Sequence, residues 1–269
     1  MQEGLIVKII EKALNSIKQL KTKEKRTLIG ITAALCAVAL ITFADTPEFI
    51  AASAAKKQLP IYCVERDQKM ISISFDAAWG NEDTQTLIDT LAQYNVKATF
   101  FVIGQWAEKY PESVKALSDA GHEVMNHSND HAHFNALSTD EIISNLNAAN
   151  DKIESITGVR PTLFRPPYGE YDDHVIAAVR SIGMEPIQWS VDSLDWKDLS
   201  AKEITKRVTS KVEPGSIVLF HNAAKHTPEA LPAILEYFAS EGYTVVPISE
   251  LILSSPYTID HTGKQIAAR

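Results

Sequence analysis

The sequence predicts an α/β fold of about seven parallel strands, curled into a closed or nearly closed barrel with helices outside, behind an N-terminal membrane helix. Three observations carry this. Between residues 70 and 253, short apolar runs of β type alternate with stretches of helical periodicity. The connections are only a few residues long, which implies strands running one way with the helices as crossovers. Residues 28–44 form a run of 17 without a charge, preceded by Lys21, Lys23, Lys25 and Arg26. Periodicity does not separate a barrel from an open sheet, although this many units fit the barrel better.

The N-terminal region divides into a basic segment (1–27), the apolar run (28–44) and a linker (45–58), ahead of the main domain at 59–269. The run is at the short end for a spanning helix and long for a signal-peptide core. Its basic flank places the N-terminal side in the cytoplasm and the main domain outside. Ala52-Ser53-Ala54 has the small-x-small form of a cleavage site but lies well past the run. The expectation is therefore a membrane anchor, with secretion after cleavage as the alternative. Leu5, Ile6, Ile9, Ile10, Ala13, Leu14 and Ile17 repeat at helical spacing among lysines, as in an amphipathic helix on a membrane surface.

In the main domain, 59–64 reads as a short strand and 70–75 (MISISF) as the first barrel strand. Helical spacing follows over 83–94, then β at 98–103, helix at 107–120 with Gly121 as its cap, and β at 123–126. Ser138 and Glu141 form a capping box that opens a helix to about residue 157. A strand at 162–164, a helix at 172–182 and a strand at 186–191 come next. Ser200 and Glu203 make a second capping box for a helix to residue 212. Strands at 216–220 and 244–248 flank a helix at 227–240, and 250–253 is a last helical turn.

Charge and cysteine content exclude several classes. Residues 1–58 carry a balance of +4 and the remainder −12, out of a net −8. An acidic domain without Lys/Arg clusters is not built for nucleic acid. Cys36 and Cys63 lie in different environments, so no disulfide and no thiolate metal site is expected.

The chemistry-bearing residues fall at strand ends. MISISF ends in Asp76, EVMN in His127, TLF in Arg165, PIQWSV in Asp192 with Asp195 and Trp196 just beyond, and SIVLF in His221. In an α/β barrel the C-terminal ends of the strands form the reactive face. His127 and His131, four apart, have a metal-ligand spacing that on a helical turn would place both imidazoles on one side. Each residue also has an ordinary explanation: an Asp after a strand commonly caps a helix, and Asp192 could serve only to shape its loop. Five coincidences on one face favour a site.

These segments resemble the polysaccharide deacetylase family, carbohydrate esterase family 4. The similar stretches are SFDAAWG (74–80), KATFFVIG (97–104), HSNDH (127–131), RPPYG (165–169), DSLDW (192–196) and LFH (219–221). The FDAAWG variant and the preceding LPIYCVERDQK resemble the sporulation-associated branch. The resemblance implies a distorted (β/α) barrel that removes N-acetyl groups from cell-wall glycan with a divalent metal, zinc foremost and cobalt or another transition metal as alternatives. It implies His127 and His131 as metal ligands, Asp76 as catalytic base held by Arg165, and His221 as general acid oriented by Asp195. Trp196 and Leu219 would line a pocket for the acetyl methyl, and the backbone N–H of Tyr168 would help bind the oxyanion.

One departure matters. The family's first motif has two adjacent aspartates, the second being the third metal ligand, whereas Asp76 is followed here by Ala77. Three outcomes stay open: water or Asp76 completes the metal site, Glu82 or Asp83 swings in, or metal binding and catalysis are weak or lost. Glu82 and Asp83 read more simply as first-turn acids of the following helix. His133 reads as a surface residue or a spare ligand, and His226 is unassigned. The alternative to an enzyme is therefore a glycan-binding or morphogenetic protein on the same fold. A barrel phosphoesterase is disfavoured by the sparse basic residues.

Overall fold

The structure is a computed structural model that describes residues 57–254 and 256–268. The predicted membrane span and the amphipathic stretch before it lie outside the described residues. Among the described residues no helix is long and apolar enough to cross a membrane.

The main unit begins at Gln58. Its centre is a parallel sheet built from β2 (Met70–Ala77), β3 (Thr99–Val102), β4 (Glu123–Asn126), β5 (Leu163–Phe164), β6 (Glu185–Pro186), β7 (Val191–Asp192) and β8 (Ile217–His221), in the order β6-β5-β4-β3-β2-β8-β7. A short β9 (Thr244–Val245) pairs with the start of β2. Between the strands run α1 (Thr84–Gln93), α2 (Gly104–Lys109), α3 (Pro111–Asp119), α4 (Thr139–Thr157), α5 (Asp173–Ser181), α6 (Ala201–Thr209), α7 (Thr227–Ser240) and α8 (Ile248–Leu251).

The sheet is a curled half-barrel whose end strands β6 and β7 do not pair with each other, more open than the closed or nearly closed barrel expected. The strand predicted at 186–191 is split: its start, β6, pairs with β5, and its end, β7, pairs with β8. One stretch of chain thus crosses from one sheet edge to the other. The segment predicted at 59–64 forms only a two-residue strand, β1 (Cys63–Val64), and single bridges from Ile61 to Ile187 and from Cys63 to Ser216. Cys63 is buried and free.

Alternation along the strands sorts side chains into two layers. Ile71, Ile73, Phe75 and Ala77 of β2, with Phe100 and Val102 of β3 and Val218 and Phe220 of β8, face the helices and join the largest apolar cluster. Phe101, Met125, Leu163, Ile187 and Ile217 fill the inside of the curl. Phe75 is in register with both Phe100 and Phe220 and stacks on them at 4.8 and 5.5 Å between ring centroids. Stacked pairs add about 0.5–1.5 kcal/mol each beyond their burial. A one-residue slip would break both stacks and turn every inward residue outward. The same register sets Asp76 directly beside His221.

Several boundaries move. The helix expected at 107–120 is two helices, because Pro111 cannot continue one and instead starts α3 at its first position. The helix expected to reach residue 212 ends at Thr209. The strand expected at 244–248 is two residues long, and the last helical turn comes earlier, at α8. Both capping boxes form as predicted, Ser138 with Glu141 and Ser200 with Glu203. Two strands escaped prediction: β10 (Tyr257–Ile259) and β11 (Lys264–Ala267) join β1 in a second, three-stranded sheet. Their hairpin needs Gly263, at φ +84°, where a Cβ would lie 2.2 Å from the Tyr62 ring.

Candidate active site

The site lies beyond the C-terminal ends of the strands. Among the described residues, six of the seven non-glycine residues with positive φ (Ser128, His131, Tyr168, Leu194, Asp198 and Ala223) sit in the loops after β4, β5, β7 and β8. Backbone in that sparsely populated region costs about 1–3 kcal/mol per residue and persists only where surrounding contacts hold it.

The loop after β4 makes the histidine pair. Buried Asn126 accepts the Ser128 N–H through Oδ1 (2.6 Å), and Ser128 Oγ accepts the His131 N–H (2.8 Å). The chain therefore doubles back without a helical turn, contrary to expectation. The two imidazoles still meet, edge to face, with centroids 5.0 Å apart. The His127 ring bonds through Nδ1 to the Arg165 carbonyl at 2.8 Å; as donor there, it leaves Nε2 as the lone-pair nitrogen. Nε2 lies 3.6 Å from Asp76 Oδ2. Burial holds the His127 pKa below the ordinary value, and burial with the neighbouring His127 pushes His131 down to about 4. Both rings are thus neutral at physiological pH.

Arg165 follows β5 and lies wholly buried inside the curl, its guanidinium 4.2 Å above the Phe101 ring. It donates to Asp76 Oδ1 (2.8 Å), Ser74 Oγ (2.9 Å) and the Gln188 carbonyl (3.1 Å). Burial works to raise the Asp76 carboxyl, but the Arg165 charge, then His127 and His221, outweigh it and keep the carboxyl below its ordinary range. On the other side of Asp76, the His221 ring meets Asp195 Oδ1 through Nδ1 at 2.8 Å. Asp195 is buried, and its Oδ2 accepts from the His221 backbone N–H (2.8 Å) and Thr227 Oγ1 (2.7 Å). Burial works to lower the His221 pKa, yet the hydrogen bond and attraction to Asp195 raise it net above the ordinary value.

These groups converge on a cleft of about 590 Å³, onto which Asp76, His127, His131, Tyr168, Asp192, Trp196, Leu219 and His221 all face. Arg165 and Asp195 stand behind it as supports. Asp192 also shapes its loop, accepting the Leu194 N–H at 2.8 Å. Tyr168, at φ +58°, is clamped between His131 (4.4 Å) and His133, which stacks on it at 4.3 Å and pairs with Glu170.

Glu82 and Asp83 do not enter the cleft. Glu82 accepts the Asn81 N–H. Asp83 is not a first-turn acid but occupies the N-cap position without capping, and its Oδ2 accepts the Ala223 N–H. The Ala77 methyl lies in the apolar cluster under the helices. Two neutral imidazoles suit a divalent transition metal, but among the described residues lining the cleft the carboxylate beside them is Asp76, and position 77 offers only a methyl. Among the described residues no group of three His, Cys, Asp or Glu is placed to hold a metal ion.

The sequence reading missed Trp79 and Trp189 on the cleft wall and Asn222, which fastens the neighbouring loop. Trp79 lies inside the SFDAAWG segment, where its aromatic character is the available signal.

The curled parallel sheet thus carries an arginine-held carboxylate and a carboxylate-held imidazole side by side at the C-terminal ends of its strands. The polysaccharide deacetylase family model matches residues 64–187. The peptidoglycan-N-acetylglucosamine deacetylase of Bacillus cereus is 32% identical over 69% of this chain and 69% of its own. The chain belongs to the polysaccharide deacetylase family. The peptidoglycan-N-acetylmuramic acid deacetylase PdaC of Bacillus subtilis is 36% identical over 70% of this chain, which spans 40% of PdaC. A crystal structure from Bacillus anthracis, BA3943, described as a family pseudoenzyme, superposes with a TM-score of 0.69 at 37% identity, over 71% of this chain and 68% of that one.

Proposed function

We propose that the chain is a hydrolase that removes N-acetyl groups from the amino sugars of peptidoglycan-type cell-wall glycan. One observation carries this reading: on adjacent, in-register positions of β2 and β8 the cleft presents a carboxylate whose pKa Arg165 holds down and an imidazole whose pKa Asp195 holds up. An N-acetyl amide is a poor electrophile whose cleavage needs a proton taken from water and a proton given to the departing amine. Asp76 Oδ2 takes the first, because Arg165 occupies Oδ1. His221 Nε2 gives the second, because Asp195 occupies Nδ1. The Tyr168 backbone N–H is our candidate donor to the oxyanion, and Trp196 and Leu219 form the wall for the acetyl methyl. His127 and His131 would hold a divalent ion, zinc foremost, and such an ion supplies carbonyl polarisation and a more acidic water.

The peptidoglycan substrate is supported by the names of the Bacillus relatives, the extracytoplasmic setting by the basic flank before residues 28–44, and a sporulation role by the FDAAWG segment alone. Membrane anchorage through that run is part of the proposal, with secretion as its alternative. A second reading, a glycan-binding protein without chemistry, is favoured by Ala77 and by the likeness to a pseudoenzyme. The intact Asp76–Arg165 and His221–Asp195 pairs favour the hydrolase.

The full chain, supplied with a divalent metal, should release acetate from N-acetylglucosamine oligomers or peptidoglycan, and His221→Ala should lose that activity. Absence of acetate from every glycan, with the fold intact and metal titrated in, would leave the binding reading.

A further inference from the structure

We propose that Trp79 is a substrate-recognition residue, a stacking platform for the sugar ring presented to Asp76 and His221; this rests on the glycan reading above. After β2 the chain passes the loop that follows β8 so closely that a Cβ on Gly80 would lie 2.4 Å from the Ala223 Cβ. Buried Asn222 accepts the Ala78 N–H (3.2 Å) and donates through Nδ2 to the carbonyls of Trp79 (2.6 Å) and Gly80 (3.0 Å). Trp106 Nε1 donates to the same Gly80 carbonyl at 2.6 Å. Two buried side chains from different elements therefore fix residues 78–80.

The side chain this frame holds out is not needed by the core. Trp79 is 51% exposed. Its ring lies nearly parallel to His221 (6.3 Å, 12°) and edge-on to His131 (6.2 Å, 75°), so it spans the space between the proposed acid and the histidine pair. Among the described residues four large apolar side chains stand exposed, and three of them, Trp79, Tyr168 and Trp196, border this one cleft. Exposed aromatic surface gathered at one place marks a binding site. The ligand that fits rigid, electron-rich ring faces beside hydrogen-bonding groups is a pyranose, with polar hydroxyl edges and an apolar C–H face. A rigid platform also lowers the ordering cost of binding.

The test compares Trp79→Ala and Trp79→Phe with the parent full chain, using chitopentaose as probe. In the alanine variant KM should rise about tenfold with kcat within about threefold of the parent, as expected for loss of one stacking contact. Phenylalanine should restore most of the affinity. Calorimetric titration of the same oligomer gives a second readout that needs no turnover, so failure of the deacetylase reading (binding without acetate) is distinguishable from failure of this one. A fall in kcat at unchanged KM would overturn the proposal in favour of a role in orienting His221. Unchanged oligomer affinity in Trp79→Ala, or no binding by the parent chain, would also overturn it.

Discussion

Asp195 holds His221 twice: one carboxylate oxygen meets the imidazole Nδ1 at 2.8 Å, and the other accepts the His221 backbone N–H at 2.8 Å. With Thr227 Oγ1 and the Trp196 N–H also donating, each carboxylate oxygen has two partners, which hold it against the ring. The link fixes tautomer and orientation and raises the imidazole pKa.

Asp195→Asn tests that link. The amide keeps the shape but removes the negative charge that offsets burial of His221. The imidazolium pKa should fall, and a general acid is lost as pH rises through its pKa. The alkaline limb of kcat against pH should therefore move to lower pH, with kcat at pH 8 down by about 10²-fold. An unmoved alkaline limb would separate Asp195 from the proton chemistry.

Arg165→Met should destabilise the fold by about 3–5 kcal/mol, because it leaves the Asp76 carboxylate buried without its partner. Adding Asp76→Asn should recover part of that loss, since the remaining group is neutral. Urea unfolding of both single variants and the double variant closes the cycle. Strict additivity would mean that the pair is not coupled.

A zinc titration should shift the His127 and His131 imidazole signals together in NMR spectra, and His131→Ala should abolish saturable binding. With two neutral imidazoles and no carboxylate at position 77, the dissociation constant should be weaker than nanomolar, about micromolar. Burial keeps His131 neutral down to about pH 4, so binding should persist at pH 6. Chelation should remove acetate release and added zinc should restore it. Activity unchanged by exhaustive chelation would exclude an ion from the reaction.

The reactive face was legible because a barrel-like sheet places whatever follows its strands at one end: Asp76, His127, Arg165 and His221 each follow an apolar β run. The capping boxes were legible because they are local chemistry. The split of the 186–191 strand was not, since it depends on which edge each half finds, a long-range choice. β10 and β11 are only three and four residues long and are held by non-local pairing, β11 with β1 and β10 with β11, and by the buried Gln265, which bonds both the N–H and the carbonyl of Leu253. The Asn222 bracket under Trp79 was hidden for the same reason: an asparagine after His221 says nothing of a loop more than 140 residues earlier.

Stability should depend on His122, a residue far from the cleft. It is 6% exposed, and its Nδ1 accepts the Ala98 N–H at 3.2 Å, so only the neutral ring fits. Burial, aided by Lys97, pushes its pKa down to about 4, against about 6.5 in the unfolded chain. Between those values the unfolded chain binds the extra proton, so stability falls as pH drops from about 6.5 towards 4. The full loss is on the order of 3 kcal/mol, at about 1.4 kcal/mol per unit. His122→Gln keeps an acceptor for Ala98 without a titrating ring, so its Tm should decline less over that window than the parent's. Parallel Tm curves for the two proteins between pH 7 and pH 4 would assign the acid sensitivity to other groups.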